Sequence, residues 1–287
     1  MPSDHLRTVP LTGHRSVCQR QDTAVQFVPG RCRQPEINSC LLLRRAGSAR
    51  LVAGHRGRAL RVRVLSRVEV EAGGAEGADA VISIRGATES VERNLVIALT
   101  QATRGESARL LKLSFDDIGM ERYGHFLGPT MQQVTDAIEF GRHVIDGDGF
   151  FDGPSVEPPL IAIHCEHGKS RSSAIALALL ADHLGDRREH DAVNVLLRGD
   201  TDNRMHPNPL VVDLADACLF RYGRINAALA ELSPPYAKWR ELWRNIAAHP
   251  DAYWEKTRRV LSKRSDGTRV TLSTGSPRTA RSSRSMS

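Results

Sequence analysis

The chain has 287 residues, 40% of them hydrophobic, which is enough for one large core or two small ones, and its formal net charge is +7. The charge sits at the ends: residues 1–67 hold 13 Lys+Arg against 3 Asp+Glu and residues 257–287 hold 8 against 1, which leaves residues 68–256 at −10. Basic flanks on an acidic centre exclude a dedicated nucleic-acid-binding domain, the lack of 18 consecutive apolar residues excludes a transmembrane helix, and 5 irregularly spaced cysteines argue against a secreted disulfide scaffold and for a reducing, cytoplasmic setting.

Residues 1–60 are rich in Arg, Gly, Pro and Ser without apolar periodicity and are expected to be disordered; Leu41-Leu42-Leu43 is too short for the apolar core of a leader. An ordered domain is expected over 61–256. Val62-Arg63-Val64-Leu65 alternates as a strand, and Gly73-Gly74 and Gly77 mark a turn. Ala80–Ile84 and Leu110–Phe115 are apolar runs of buried strands, the second ending in Asp116-Asp117. Thr130 with Gln133 three residues later is a capping box opening a helix with Val134, Ile138, Gly141 and Ile145 on one face. A Gly/Pro/Asp loop fills 146–159, strand 160–164 follows, and a helix from about Ser172 to Leu184 stops at Gly185. Helices are expected at roughly 190–198 and 210–221, and an amphipathic one after 236 carrying Trp239, Trp243, Ile246 and Trp254. The tail from 257 is Ser/Arg-rich and expected to be disordered. Alternating strands and helices predict an α/β fold, a central mostly parallel sheet flanked by helices, with ligands at the carboxyl ends of its strands.

The most informative segment is Leu160-Ile-Ala-Ile-His-Cys-Glu-His-Gly-Lys-Ser-Arg-Ser-Ser173. A buried strand ends in Cys165, a six-residue arc closes on Arg171, and a long helix begins. The backbone N–H groups of Glu166, His167, Gly168, Lys169, Ser170 and Arg171, turned inward ahead of a helix N-terminus, form an anion nest. Arg171 grips two oxyanion oxygens in one plane, a thiol in such a place is held as the nucleophilic thiolate, and Ser172 is placed to hydrogen-bond the sulfur. Cleavage of a phosphate ester also needs an acid for the leaving oxygen, and either Asp116 or Asp117 can serve.

Two rival motifs fail. Gly168-Lys169-Ser170 resembles the end of a nucleotide P-loop, but the glycine needed five residues earlier is Ile163. His164, Cys165 and His167 lack a second close-spaced pair to complete a metal site, so no metal or other cofactor is expected. His164 itself either shapes the cysteine's surroundings or simply ends the strand.

His164, Cys165, Arg171 and Ser172 resemble the His-Cys-x5-Arg-Ser/Thr signature of the cysteine-dependent protein tyrosine phosphatase superfamily, nearest its dual-specificity branch and small bacterial relatives. Val81–Arg85, Leu113–Ile118 and the stretch from His190 to Leu219 with Pro207-Asn208 extend the likeness over roughly 62–225. The resemblance implies a metal-independent phosphomonoesterase with a Cys165 phosphocysteine intermediate, Arg171 on phosphate and Asp117, or Asp116, as general acid. It implies as partner a phosphorylated protein or small phosphomonoester, a phosphoinositide among them. A phosphate-recognition module with little turnover, and rhodanese-like sulfur transfer, are the alternative uses of the same arc.

Overall fold

The strands, in chain order, are β1 (Arg50–Ala53), β2 (Ala59–Ser66), β3 (Ala80–Arg85), β4 (Leu110–Ser114), the two-residue pair β5 (Arg122–Tyr123) and β6 (Phe126–Leu127), and β7 (Leu160–Cys165). They belong to a computed structural model that describes residues 50–53, 59–90, 92–147, 157–200 and 203–265. One sheet runs β1-β2-β7-β3-β4, with β1 antiparallel to β2 and the other pairs parallel. All six residues of β7 are buried, as a central parallel strand requires, because helices cover both faces.

Side-chain alternation along β7 divides the two cores. Ile161, Ile163 and Cys165 join the larger core, while Leu160 and Ala162 join a smaller one with Leu65, Val81, Leu95 and Leu99. His164 therefore points to the face opposite its neighbour Cys165.

Helices α1 (Arg67–Glu71) and α2 (Arg93–Ala102) cover the smaller core. Helix α3 (Met131–Asp146) opens with the predicted capping box, in which the Thr130 side chain accepts from Gln133 N and Gln133 returns to Thr130 N. Helix α4 (Arg171–Leu184) begins at the arc, and all of its residues are buried. A helix buried all round needs other elements on every side, and α3, α5 (Glu189–Leu197) and α6 (Pro209–Cys218) supply much of that coat. Fully burying Ile175, Leu177, Leu179 and Leu180 contributes about 1.5–3 kcal/mol per side chain.

Helices α7 (Arg224–Leu232), α8 (Pro234–Ala248) and α9 (Pro250–Ser265) complete the described residues. A buried polar network ties α6, α7 and α8 together: Asp216 accepts from Ile225 N, Asn226 N and Asn226 Nδ2, and Tyr236 Oη donates to Asn226 Oδ1 at 2.5 Å. Burial raises the Tyr236 phenol above its ordinary range, so it stays a donor. Trp243 and Trp254 stand edge-on to Tyr123 and clamp the β5–β6 hairpin and the segment before it. A Cβ on Gly119 would lie 2.3 Å from Trp243 Cγ, so that packing needs the glycine.

The sheet, its parallel character and the flanking helices match the sequence reading. Several boundaries do not. Arg50–Ala53 lies inside the segment expected to be disordered, yet pairs with β2 in register from Arg50↔Val62 to Ala53↔Ala59; the pairing supplies the backbone partners that composition could not foresee. Residues 1–49 lie outside the described residues. Helix α2 was not anticipated because Glu92 gives no side-chain cap and Val96 and Ile97 are exposed apolar residues off the Leu95, Leu99, Ala102 face. Helix α6 ends at Cys218, short of 221, where Phe220 and Tyr222 adopt left-handed φ of 54°. The single helix expected after 236 is two, broken at Pro250, and the second runs to Ser265, past the expected domain end at 256. Residues 266–287 of the expected tail lie outside the described residues, as does most of the 146–159 loop.

Candidate active site

Register explains why the cysteine stands where it does. Ser66 at the end of β2 pairs with Cys165 at the end of β7, so both strands stop together and the chain beyond Cys165 turns over the edge of the sheet. The turn rests on the β2–α1 junction. Gly168 has φ +67°, and a Cβ there would lie 2.7 Å from Ser66 N and 2.8 Å from Leu65 C. The arc thus needs glycine twice, for its dihedral and for its closeness to backbone that cannot yield.

The polarity of the arc follows from its hydrogen bonds. The carbonyls of Glu166, Lys169 and Ser170 face outward and accept from the backbone N–H groups of Arg67, His206 and Asn208 at 3.3, 3.1 and 3.2 Å. Among the described residues, no N–H of Glu166 to Ser170 donates to protein. Carbonyls held out and N–H groups left free make a concave donor surface, with the first turn of α4 behind it.

Side chains complete it. Cys165 Sγ lies 3.1 Å from Ser172 Oγ, and both residues are buried. Arg171 donates from Nη1 to Phe115 O at 3.0 Å, which fixes the guanidinium, while its buried Nε meets no hydrogen-bond partner among the described residues. The Phe115 strand end is itself tied to β3, since Phe115 N donates to Arg85 O.

The two aspartates differ. Asp116 is spent on backbone: Oδ1 accepts from Ala87 N at 3.2 Å and Oδ2 from Leu127 N at 2.8 Å. Asp117 touches the arc, with Oδ1 accepting from Ser170 Oγ at 2.6 Å and from Asn208 Nδ2 at 3.0 Å, and its residue is exposed. Ser170, expected to offer only its N–H to a ligand, therefore also fastens the arc to the aspartate by its hydroxyl. Asn208 also donates to Ile118 O and caps α6 through Oδ1, joining three segments.

His164 lies beneath the site at 1% exposure, with neither ring nitrogen in a hydrogen bond among the described residues. Burial, opposed in part by the adjacent Cys165 backbone and reinforced by the charges of Arg171 and Arg85, pushes its pKa down to about 4, so the ring is neutral near pH 7. Arg67, which sequence reasoning did not single out, pairs with Glu166 of the arc and with Glu92. Arg85 was noted only as a strand end, yet it lines the cavity beside the cysteine.

No family model matches the chain, and no curated protein does. Among solved structures it aligns with the human tyrosine phosphatase-like serine/threonine/tyrosine-interacting protein at 18% identity and TM-score 0.39, over 56% of this chain and 92% of that one. Human DUSP28, in a variant form, aligns at 12% identity and TM-score 0.38, over 57% and 92%. PTPMT1 in complex with PI(5)P aligns at 12% identity and TM-score 0.34, over 58% and 92%.

Among the described residues, no helix is long and apolar enough to cross a membrane.

Proposed function

We propose that the chain is a cysteine-dependent phosphomonoesterase of the protein tyrosine phosphatase type, with Cys165 as nucleophile. The observation that carries this reading is the arc: outward carbonyls, free N–H groups, an anchored Arg171 and a thiol 3.1 Å from Ser172 converge on one oxyanion position. Three equatorial oxygens of a phosphoryl group match such a donor surface.

In the first step the Cys165 thiolate attacks phosphorus as the P–O bond to the leaving group breaks, and Asp117 delivers its proton to the leaving oxygen. The Arg171 guanidinium and the N–H groups from Glu166 to Arg171 hold the phosphoryl oxygens throughout. In the second step Asp117, now a carboxylate, takes a proton from water as that water attacks phosphorus, and the P–S bond breaks. The Ser172 hydroxyl stabilises the departing thiolate.

Asp117 is preferred to Asp116 because one of its oxygens lies outside the bonds with Ser170 and Asn208, whereas both oxygens of Asp116 hold loop backbone. The substrate is a phosphorylated protein or a small phosphomonoester. The reading is tested by phosphate release from a generic aryl phosphate: wild type turns it over, Cys165→Ser does not, and equal rates from the two proteins contradict it.

A further inference from the structure

A cavity of about 490 Å³ opens beside the arc, bounded by Cys165, Glu166 and His167 on one side and by the end of β3 and the start of α2 on the other. That volume lies in the range of small-molecule sites and far exceeds what a single phosphate group fills.

The cavity walls carry the carboxylates of Glu89, Glu92 and Glu166 and the guanidinium groups of Arg67 and Arg85. Arg67 sits between Glu92 and Glu166, and Glu89 accepts from Gly86 N at 2.7 Å. Arg85 is different. It lines the cavity from the end of β3, and its guanidinium meets no ion-pair or hydrogen-bond partner among the described residues.

Two further features converge with it. Helix α2, ten residues long, presents its N-terminus to the cavity through Glu92 and Leu95, and among the described residues no side chain is hydrogen-bonded to its first N–H groups. Free N–H groups at a helix start favour an anion. His164 also lines the cavity, 1% exposed, with neither ring nitrogen hydrogen-bonded among the described residues. A cation, an uncapped helix start and a buried polar ring facing one space ask for an acidic group.

We propose that this cavity is a second anion subsite, and that the substrate is a small phosphomonoester whose body carries a further acidic group received by Arg85 and the start of α2. The inference rests on the reading of Cys165 as a phosphatase nucleophile. It adds the substrate class: a small organic phosphate with two anionic groups.

The test compares phenyl phosphate with its meta- and para-carboxymethyl and phosphonomethyl derivatives. Wild type prefers at least one doubly anionic compound by about 10- to 100-fold in kcat/KM, the worth of one charge-assisted hydrogen bond or pair. In Arg85→Gln that ratio falls toward one, and Arg85→Lys restores part of it. A ratio of one in wild type, or an unchanged ratio in Arg85→Gln, overturns the subsite. If glutamate-flanked phosphotyrosine peptides alone show the Arg85-dependent preference, the small-molecule assignment is overturned. Calorimetry of the same compounds on Cys165→Ser reads the preference without turnover, so failure of catalysis and failure of the subsite are told apart.

Discussion

The Ser170 hydroxyl donates to Asp117 Oδ1 at 2.6 Å, so the anion-binding arc and the carboxylate beside it are positioned together. Asn208 Nδ2 shares the same oxygen, which leaves Asp117 oriented but not enclosed. This arrangement separates the two adjacent aspartates by function. Asp117→Asn is expected to lower kcat by about 10²- to 10⁴-fold on a substrate with a poor leaving group, the usual worth of a general acid. Asp116→Ala is expected to act on stability, by about 1–3 kcal/mol, because Ala87 N and Leu127 N lose their acceptor. Steady-state kinetics and denaturant unfolding of both variants check the division; the reverse pattern would move the acid to Asp116.

Gly168→Ala is expected to abolish activity. The added methyl would meet Ser66 N at 2.7 Å at a backbone angle of +67°, so the arc must shift and its N–H groups lose their common focus. Phosphate or vanadate affinity, measured by calorimetry, falls with activity if the arc is the binding element.

Acid lowers stability through His164. Its folded pKa, about 4, lies below the ordinary histidine value of 6.5, so the unfolded chain takes up the proton first as pH falls. The stability that neutral His164 supports is complete above about pH 6.5, is lost as pH drops from 6.5 to 4, and levels off below. The full loss is on the order of 3 kcal/mol. Unfolding free energies of wild type and His164→Asn at pH 7, 5.5 and 4 check it: the difference between the proteins narrows toward low pH.

Tyr236→Phe is expected to destabilise by about 1–2 kcal/mol and leave the arc unchanged. It removes the donor to Asn226 Oδ1 inside a buried network that joins α6, α7 and α8, so the acceptor is stranded without water. Chemical denaturation gives the loss, and inorganic phosphate affinity provides the control.

Most of the site was legible because its chemistry is contiguous: Cys165, the arc and Arg171 fall within seven residues, and strand and helix signals flank them. The capping box at Thr130 and the buried strands were legible for the same reason, being set by local pattern. Contacts across the fold were not. Nothing near Asp117 in sequence announces Ser170 and Asn208, and nothing in Arg85 itself says that its guanidinium faces a cavity. Pairing misled in the other direction at Arg50–Ala53, where a segment of unpromising composition becomes a strand by borrowing the edge of β2. The β5–β6 hairpin has two-residue strands, too short for any periodicity, and is held by Trp243 and Trp254 from helices more than a hundred residues away.

The most direct test of the site is a covalent one. Wild-type protein mixed with p-nitrophenyl phosphate, quenched rapidly in acid and digested, is predicted to yield phosphate on the peptide containing Cys165, more abundantly in Asp117→Asn, because nitrophenolate leaves without a proton and only the second step is slowed. Phosphate release without any adduct on Cys165, or tight phosphate binding with neither adduct nor release, would contradict it.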